Sequence, residues 1–323
     1  MSSNEPHAGS MAASQSQTAV LVPCYNEERA VAKVVADFRA ALPDAAIYVY
    51  DNNSTDRTVE AALRAGAVVR REAYQGKGYV VRRMFNDVEA DIYVLVDGDA
   101  TYDAPSARGM IAKLIDERLD MVVAARADRD HAAYRPGHRA GNRLLTGFVA
   151  HMFGRAFTDI LSGYRVFSRR FVKSFPILSG GFEIETELTV HALELELPVG
   201  EMATPYFSRP SGSASKLSTW NDGFRILSTV FKLYRAARPL FGAFGIALAI
   251  ISIGLAIPIF TTYVQEGLVP RLPTAVLSTG LMLLAFLSIA CGLILDTVTR
   301  GRRELKLLAY LALRAPGEER RRS

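Results

Sequence analysis

The stretch IYVLVDGD, Ile92 to Asp99, decides the fold. An unbroken apolar run of this length, ending in polar residues, reads as a strand buried on both faces, as in a parallel sheet. Residues two apart in an extended chain point to the same side, so Asp97 and Asp99 project together from the strand end. Two anions held together are costly without a cation. Hard carboxylate oxygens suit Mg2+ or Mn2+, which can bridge to a diphosphate. The plain alternative is a polar turn.

Working outward, short β-rich runs alternate with helical patterns. Ala19 to Pro23 precedes a helix over Glu27 to Leu42, and Ile47 to Tyr50 precedes one over Thr58 to Ala65. Val68 to Arg70 precedes Gly78 to Val88; Ile92 to Val96 precedes Ala107 to Arg118, and Met121 to Ala125 follows. This alternation predicts an α/β domain with a mostly parallel sheet and helices on both faces. Ligands of such sheets sit beyond the carboxyl ends of the strands.

The residues just after each strand are therefore the candidates. Pro23-Cys24-Tyr25-Asn26-Glu27-Glu28 follows the first, and Asp51-Asn52-Asn53-Ser54-Thr55-Asp56 the second. Asp51 can accept hydrogen bonds from a base or ribose; part of the Ser/Thr/Asp cluster caps the next helix. Gln75-Gly76-Lys77-Gly78 follows the third. It is neither a P-loop nor a GxGxxG fingerprint. Glu183, Glu185 and Glu187 alternate at a helix start, with Glu183 facing the site and the other two read as a solvated face.

The C-terminal part reads differently. Residues 240–260 and 275–295 carry no charged residue before Asp296. At 1.5 Å per residue each reaches about 31 Å, enough for a bilayer core. Arg225, Lys232, Arg235 and Arg238 precede the first run; Arg300, Arg302, Arg303 and Lys306 follow the second; Arg271 and Glu266 alone are charged between them. The positive-inside rule then puts the catalytic domain and both termini in the cytoplasm of an inner-membrane, multi-pass protein. Residues 217–238, with Trp220, Phe224, Leu227, Phe231 and Tyr234 at helical spacing among basic residues, suit an interfacial amphipathic helix. Residues 1–17 read as a disordered tail without the pattern of a signal peptide, and 298–323 as a basic tail. The domain boundaries that follow are 18–216 for the α/β domain and 239–297 for the membrane hairpin.

Composition agrees. The 323 residues carry a net charge of +5, and half are hydrophobic. Anionic lipid accounts for most of the basic surplus, and nothing resembles a nucleic-acid module. Cys24 and Cys291 have no local partner, which excludes a disulfide framework or zinc spacing. Cys24 reads as a small buried residue. His131, His138, His151 and His191 also lack metal-site spacing, and His138, beside Arg139, reads as structural.

Taken in order, Pro23 to Glu28, Asp51 to Asp56, Gly76-Lys77-Gly78 and Asp97-Gly98-Asp99 resemble family-2 glycosyltransferases of GT-A fold. Asp159-Ile160-Leu161-Ser162-Gly163-Tyr164-Arg165 looks like the (D)xxSGxR element of the dolichol-phosphate mannose synthase type. Gly181-Phe182-Glu183, the run from Arg209 to Lys216, and the paired spans fit the same subgroup and its GtrB-like polyprenyl-phosphate members.

The resemblance implies an inverting, metal-dependent hexosyltransferase. It would move a sugar from a nucleotide-sugar to polyprenyl phosphate at the cytoplasmic face, for cell-envelope glycan modification. A UDP-hexose or UDP-N-acetylhexosamine is favoured over GDP-mannose. Pro23, Tyr25, Glu27, Asp51, Lys77, Asp97 and Gly98 would line the donor pocket, with Arg209, Ser215 and Lys216 in a loop closing over the diphosphate. Asp97 and Asp99 would hold Mg2+ or Mn2+. Arg126, Arg139 and Asn142 would grip the acceptor phosphate, and relatives imply a homo-oligomer through the spans. Some relatives carry Gln where Thr101 stands, which puts a ligand from that position in doubt. The acceptor is already ionised and needs no general base; were one used, Asp159 is the candidate, its alternative role being to anchor the 162–165 loop.

Four rival readings differ. A processive synthase would carry QxxRW, yet the only tryptophan, Trp220, follows Thr219. A sugar nucleotidyltransferase would need a Gly-rich signature and no hairpin. A non-processive transferase with another lipid or glycan acceptor shares the donor machinery. A non-catalytic membrane scaffold would have no need to keep Asp97, Asp99 and the Arg209–Lys216 run.

Overall fold

The apolar runs become strands. The computed structural model describes residues 17–128, 147, 157–209 and 237–316. Two compact units emerge, residues 1–227 with 309–323, and residues 228–308.

In the first unit, β1 (Thr18–Cys24), β2 (Ala46–Asp51), β3 (Val68–Arg71) and β4 (Ile92–Leu95) alternate with α1 (Val31–Ala41), α2 (Thr58–Arg64) and α3 (Lys77–Asp87). Then come α4 (Ser106–Asp116), β5 (Met121–Asp128), β6 (Arg165–Ser168), α5 (Arg169–Ser174), α6 (Ile184–Glu194) and β7 (Val199–Tyr206). The sheet order is β3-β2-β1-β4-β6-β5-β7. Among the described strands only β6 runs antiparallel to its neighbours, β4 and β5. The GT-A expectation, a mostly parallel Rossmann-like sheet, is what forms.

Burial explains the pattern. β4 is buried at every position, as its unbroken apolar sequence requires. Val20, Val22, Val94 and Val166 lie on one face of the sheet with Val35 and Phe38 of α1 and Met110 and Leu114 of α4 in a continuous core. The sequence reading missed two strands, β6 and β7. β6 is four residues, all buried. β7 contains Gly200, Glu201 and Pro205 and lacks period-two alternation.

α6 corrects another expectation. It is buried nearly all round, and Glu185 and Glu187 are not a solvated face but are 7% and 3% exposed. The Glu187 carboxylate accepts the amides of Leu178 (2.9 Å) and Ser179 (2.8 Å). The 178–180 backbone so held lies against Gly76 and Gly78. A Cβ on Gly78 would stand 2.1 Å from the Ser179 carbonyl oxygen, and one on Gly76, at φ +139°, 2.2 Å from that of Gly180. Gly78 N donates to that Gly180 oxygen at 3.1 Å. The two glycines of Gly-Lys-Gly are thus close-contact residues.

α7 (Ala237–Glu266) and α8 (Leu272–Leu311) as far as residue 308 make up the described part of the second unit. Both are long and apolar enough to cross a membrane, with only 11% of each apolar window buried. The expected spans 240–260 and 275–295 lie inside them. α8 runs on through the Arg-rich stretch to Leu311, so the expected basic tail begins in helix. The two helices meet through small residues, as membrane helices do. Ser252 Oγ donates to the Ser278 carbonyl (2.7 Å) and Ser278 Oγ to that of Ser252 (2.9 Å). A Cβ on Gly245 would fall 2.7 Å from Ile289 Cγ1.

Gly78→Ala should lower stability by about 1–3 kcal/mol, because the Ser179 carbonyl is backbone and can move little. Thermal unfolding of the detergent-solubilised protein measures it. An unchanged midpoint contradicts the close-contact reading.

Candidate active site

Six parallel strands end on one edge of the sheet, and the loop entering β6 arrives at the same edge. The first two strand ends are tied together. Asn26, at φ +52°, donates its amide to Ser54 Oγ (2.9 Å) and accepts from Thr55 N (2.7 Å). Glu27 N donates to Thr58 Oγ1 at 2.8 Å. Asp56 accepts from Thr58 N, the first amide of α2, at 3.0 Å, while the cap residue itself, Arg57, makes no side-chain cap bond. Asp51 is buried; its Oδ1 accepts from Ser54 N (3.2 Å), and Oδ2 stands 3.8 Å from Arg71 Nε. Asn52 locks the third loop, donating to the Tyr74 carbonyl (2.7 Å) and accepting from Gly76 N (2.7 Å). Pro23 is half-buried here, Tyr25 exposed and Glu27 buried. Cys24 is buried, and a Cβ on Gly98 would meet its sulfur at 2.5 Å, so its role is packing.

At the end of β4, each carboxylate meets a cation. Lys77 Nζ donates to Asp97 Oδ1 and, at 2.5 Å, to Glu185 Oε1. Arg209 Nη2 stands 2.7 Å from Asp99 Oδ2. Thr101 Oγ1 donates to Asp99 Oδ1 at 2.7 Å, so Thr101 orients the carboxylate. Burial, then the charge of Asp97, push the Asp99 carboxyl up, against the pull of Arg209 and Thr101. Burial drags Lys77 down, but Asp97 and Glu185 outweigh it and hold the ammonium above its ordinary value. Burial raises the Glu185 carboxyl, opposed by Lys77.

The 159–165 loop covers this cluster. A Cβ on Gly163 would fall 2.2 Å from Asp97 Oδ2, so only glycine lets the backbone lie on the carboxylate. Gly163 N donates to Tyr102 OH at 2.9 Å. Arg165 is fully buried and holds the loop from beneath, donating to the carbonyls of Ser162 (3.0 Å) and Ile160 (2.7 Å) and to Thr189 Oγ1 (2.9 Å). Burial pulls its guanidinium down to about 10.

Beside it, Arg126 makes a two-pronged ion pair with Asp159, Nε to Oδ2 at 2.6 Å and Nη2 to Oδ1 at 2.8 Å. It also lies 5.5 Å from the Tyr206 ring centre. Glu201 in turn accepts the amides of Thr158 (2.9 Å) and Asp159 (3.0 Å). The Asp159 carboxylate thus holds Arg126, a pairing the sequence reading did not anticipate. Arg139, Asn142, Ser215 and Lys216 lie outside the described residues. Among the described residues no group of three His, Cys, Asp or Glu stands together as a metal site.

The sequence reading missed Glu185, Glu201, Tyr102 and Tyr206. Their partners lie far along the chain, so no local spacing signals them.

Comparison with known proteins follows this geometry. The family described as Glycosyl transferase family 2 matches residues 19–175. Glycosyltransferase AglJ of Haloferax volcanii is 34% identical over 289 residues, 88% of this chain and 94% of that one. The dolichyl-phosphate hexose transferase of the same organism is 26% identical over 67% of this chain and 92% of its own. In fold, the chain is similar to Mycobacterium tuberculosis glucosyl-3-phosphoglycerate synthase, crystallised with Mn2+, UDP and glucosyl-3-phosphoglycerate. The TM-score is 0.58 at 19% identity, over 68% of this chain and 80% of that one.

Removing Asp159 alone should leave Arg126 without its counter-charge and cost up to about 3 kcal/mol. The Arg126→Met, Asp159→Leu double variant should recover part of that loss, measured as a cycle of unfolding midpoints. Strictly additive losses contradict the pairing.

Proposed function

The chain belongs to glycosyl transferase family 2, and from that premise we propose that it is a hexosyltransferase that glycosylates a polyprenyl phosphate at the cytoplasmic membrane face. The carrying observation is the end of β4, where Asp97 and Asp99 converge with Lys77 and Arg209, in a chain with two membrane-length helices. The donor is a nucleotide-sugar, UDP-linked in preference to GDP-mannose. The similarity to a dolichyl-phosphate hexose transferase supports the lipid-phosphate acceptor.

The donor set fits a divalent ion. Asp97 and Asp99 offer hard oxygens, and burial, then the charge of Asp97, penalise the charged form of Asp99, which supports a cation beside the pair. These two residues would hold Mg2+ or Mn2+, which when bound neutralises charge on the departing diphosphate. The likeness to a fold crystallised with Mn2+ and UDP supports that choice.

The protein's own groups do the rest. Pro23, Tyr25, Glu27 and Asp51 line the nucleotide end, with Gly98 leaving room beside Cys24. Arg209, with Ser215 and Lys216, draws the closing loop onto the diphosphate, and Lys77 adds a buried positive charge. Arg126, oriented by Asp159, meets the acceptor phosphate with Arg139 and Asn142; guanidinium suits that geometry. The acceptor oxygen is already anionic, so positioning replaces proton abstraction. In-line attack on the anomeric carbon inverts it. Membrane helices hold the domain where the lipid head group lies; extracting the lipid would cost about 0.8 kcal/mol per CH2.

Asp99→Ala should abolish transfer while leaving the melting temperature near that of wild type, and EDTA should silence the wild-type enzyme. Near-normal turnover in EDTA contradicts the metal assignment. Arg139→Ala should raise the KM for polyprenyl phosphate at least tenfold with little change in the KM for the donor; an unchanged acceptor KM refutes that grip.

A further inference from the structure

Lys77 has two partners where a donor-binding lysine needs none. Its ammonium is buried between Asp97, on β4, and Glu185, in the first turn of α6. Glu185 is 7% exposed and sits at a helix N-terminus, where the dipole favours a negative charge. α6 is fixed to the 178–179 backbone by Glu187, and that backbone packs on Gly76 and Gly78 either side of the lysine. The Glu185 end of the contact is therefore rigid. The Asp97 end belongs to the carboxylate pair of the proposed cation site.

We propose that Lys77 is an exchangeable internal counterion, standing on Asp97 until a divalent cation arrives and then retained by Glu185 alone. Glu185 is its positioning residue. This rests on the reading of Asp97 and Asp99 as the cation ligands. Asp99 is buried and Asp97 half-buried; such a pair left without a cation is costly, and Lys77 with Arg209 offsets that cost. The divalent ion must then displace an ammonium already bonded to Asp97. Glu185 lets the lysine yield without becoming an unpaired buried charge.

The charge balance has a consequence. Three carboxylates, Asp97, Asp99 and Glu185, face two cations, Lys77 and Arg209. A divalent cation alone makes this cluster net positive, and a diphosphate alone makes it more negative. Arriving together they cancel. Cation and nucleotide diphosphate therefore tighten each other's binding, reciprocally by thermodynamic linkage. Lys77 then acts as a gate against futile metal loading.

The test is Mn2+ binding by electron paramagnetic resonance on the full-length protein in nanodiscs, with and without UDP. In wild type, UDP should lower the Mn2+ Kd at least tenfold. Lys77→Gln should tighten Mn2+ in the absence of UDP about tenfold and shrink the effect of UDP. Glu185→Gln should weaken Mn2+ by a similar factor, and Glu185→Asp should restore it. The two Gln variants moving Mn2+ affinity in the same direction, or not at all, overturns the exchange. Independent binding of Mn2+ and UDP in wild type overturns it too, and needs no variant to fold. Should Lys77→Gln fail to melt cooperatively, the Glu185 pair decides, and failure of Asp to restore affinity counts against the proposal. Asp97→Asn with wild-type Mn2+ affinity is a different failure, that of the cation site itself.

Discussion

Everything at the working edge of this molecule depends on holding two negative charges, one buried and one half-buried, at the end of one apolar strand. β4 is wholly buried and runs into Asp97 and Asp99. An uncompensated pair there would cost several kcal/mol. The surrounding structure is arranged around its compensation. Lys77 comes from the third strand loop, Arg209 from beyond β7, Thr101 from the chain just after the pair, and Gly163 brings backbone onto Asp97. Beneath the loop lies buried Arg165, whose hydrogen bonds go to the carbonyls of Ser162 and Ile160 and to the Thr189 hydroxyl.

That arrangement explains why the sheet has its topology. Six parallel strands deliver their carboxyl ends to one edge, and the lone antiparallel strand, β6, inserts between β4 and β5. The insertion brings residues 159–165 to the same edge. The Asp159–Arg126 fork and the Gly163–Asp97 contact are both products of that one strand reversal. Family-2 membership and two long apolar helices give this edge its setting.

Much of this was legible from residues alone. The first five strands, the helices between them and the two spans follow from hydrophobic runs and punctuation. Asp97 and Asp99 follow from the strand end. Three features were not legible. β6 is too short to show a period, and β7 carries Gly200 and Pro205, which read as loop. Glu185 and Glu187 read as a solvated face because their partners, Lys77 and the 178–179 amides, are brought to them only by folding. The glycines around Lys77 matched no phosphate-loop pattern, and the reason for them appears only in the fold, where their Cβ positions are filled by the carbonyls of Ser179 and Gly180.

The central claim is tested most directly by the product. Full-length protein in nanodiscs with undecaprenyl phosphate and Mg2+ or Mn2+ would be offered a panel of UDP- and GDP-sugars, and the lipid fraction read by mass spectrometry. The account predicts one hexosyl or N-acetylhexosaminyl phosphoprenol, formed only with the cation present. Nucleotide binding without any glycolipid from any donor would contradict it, and would turn attention to a different acceptor or to a non-catalytic membrane role.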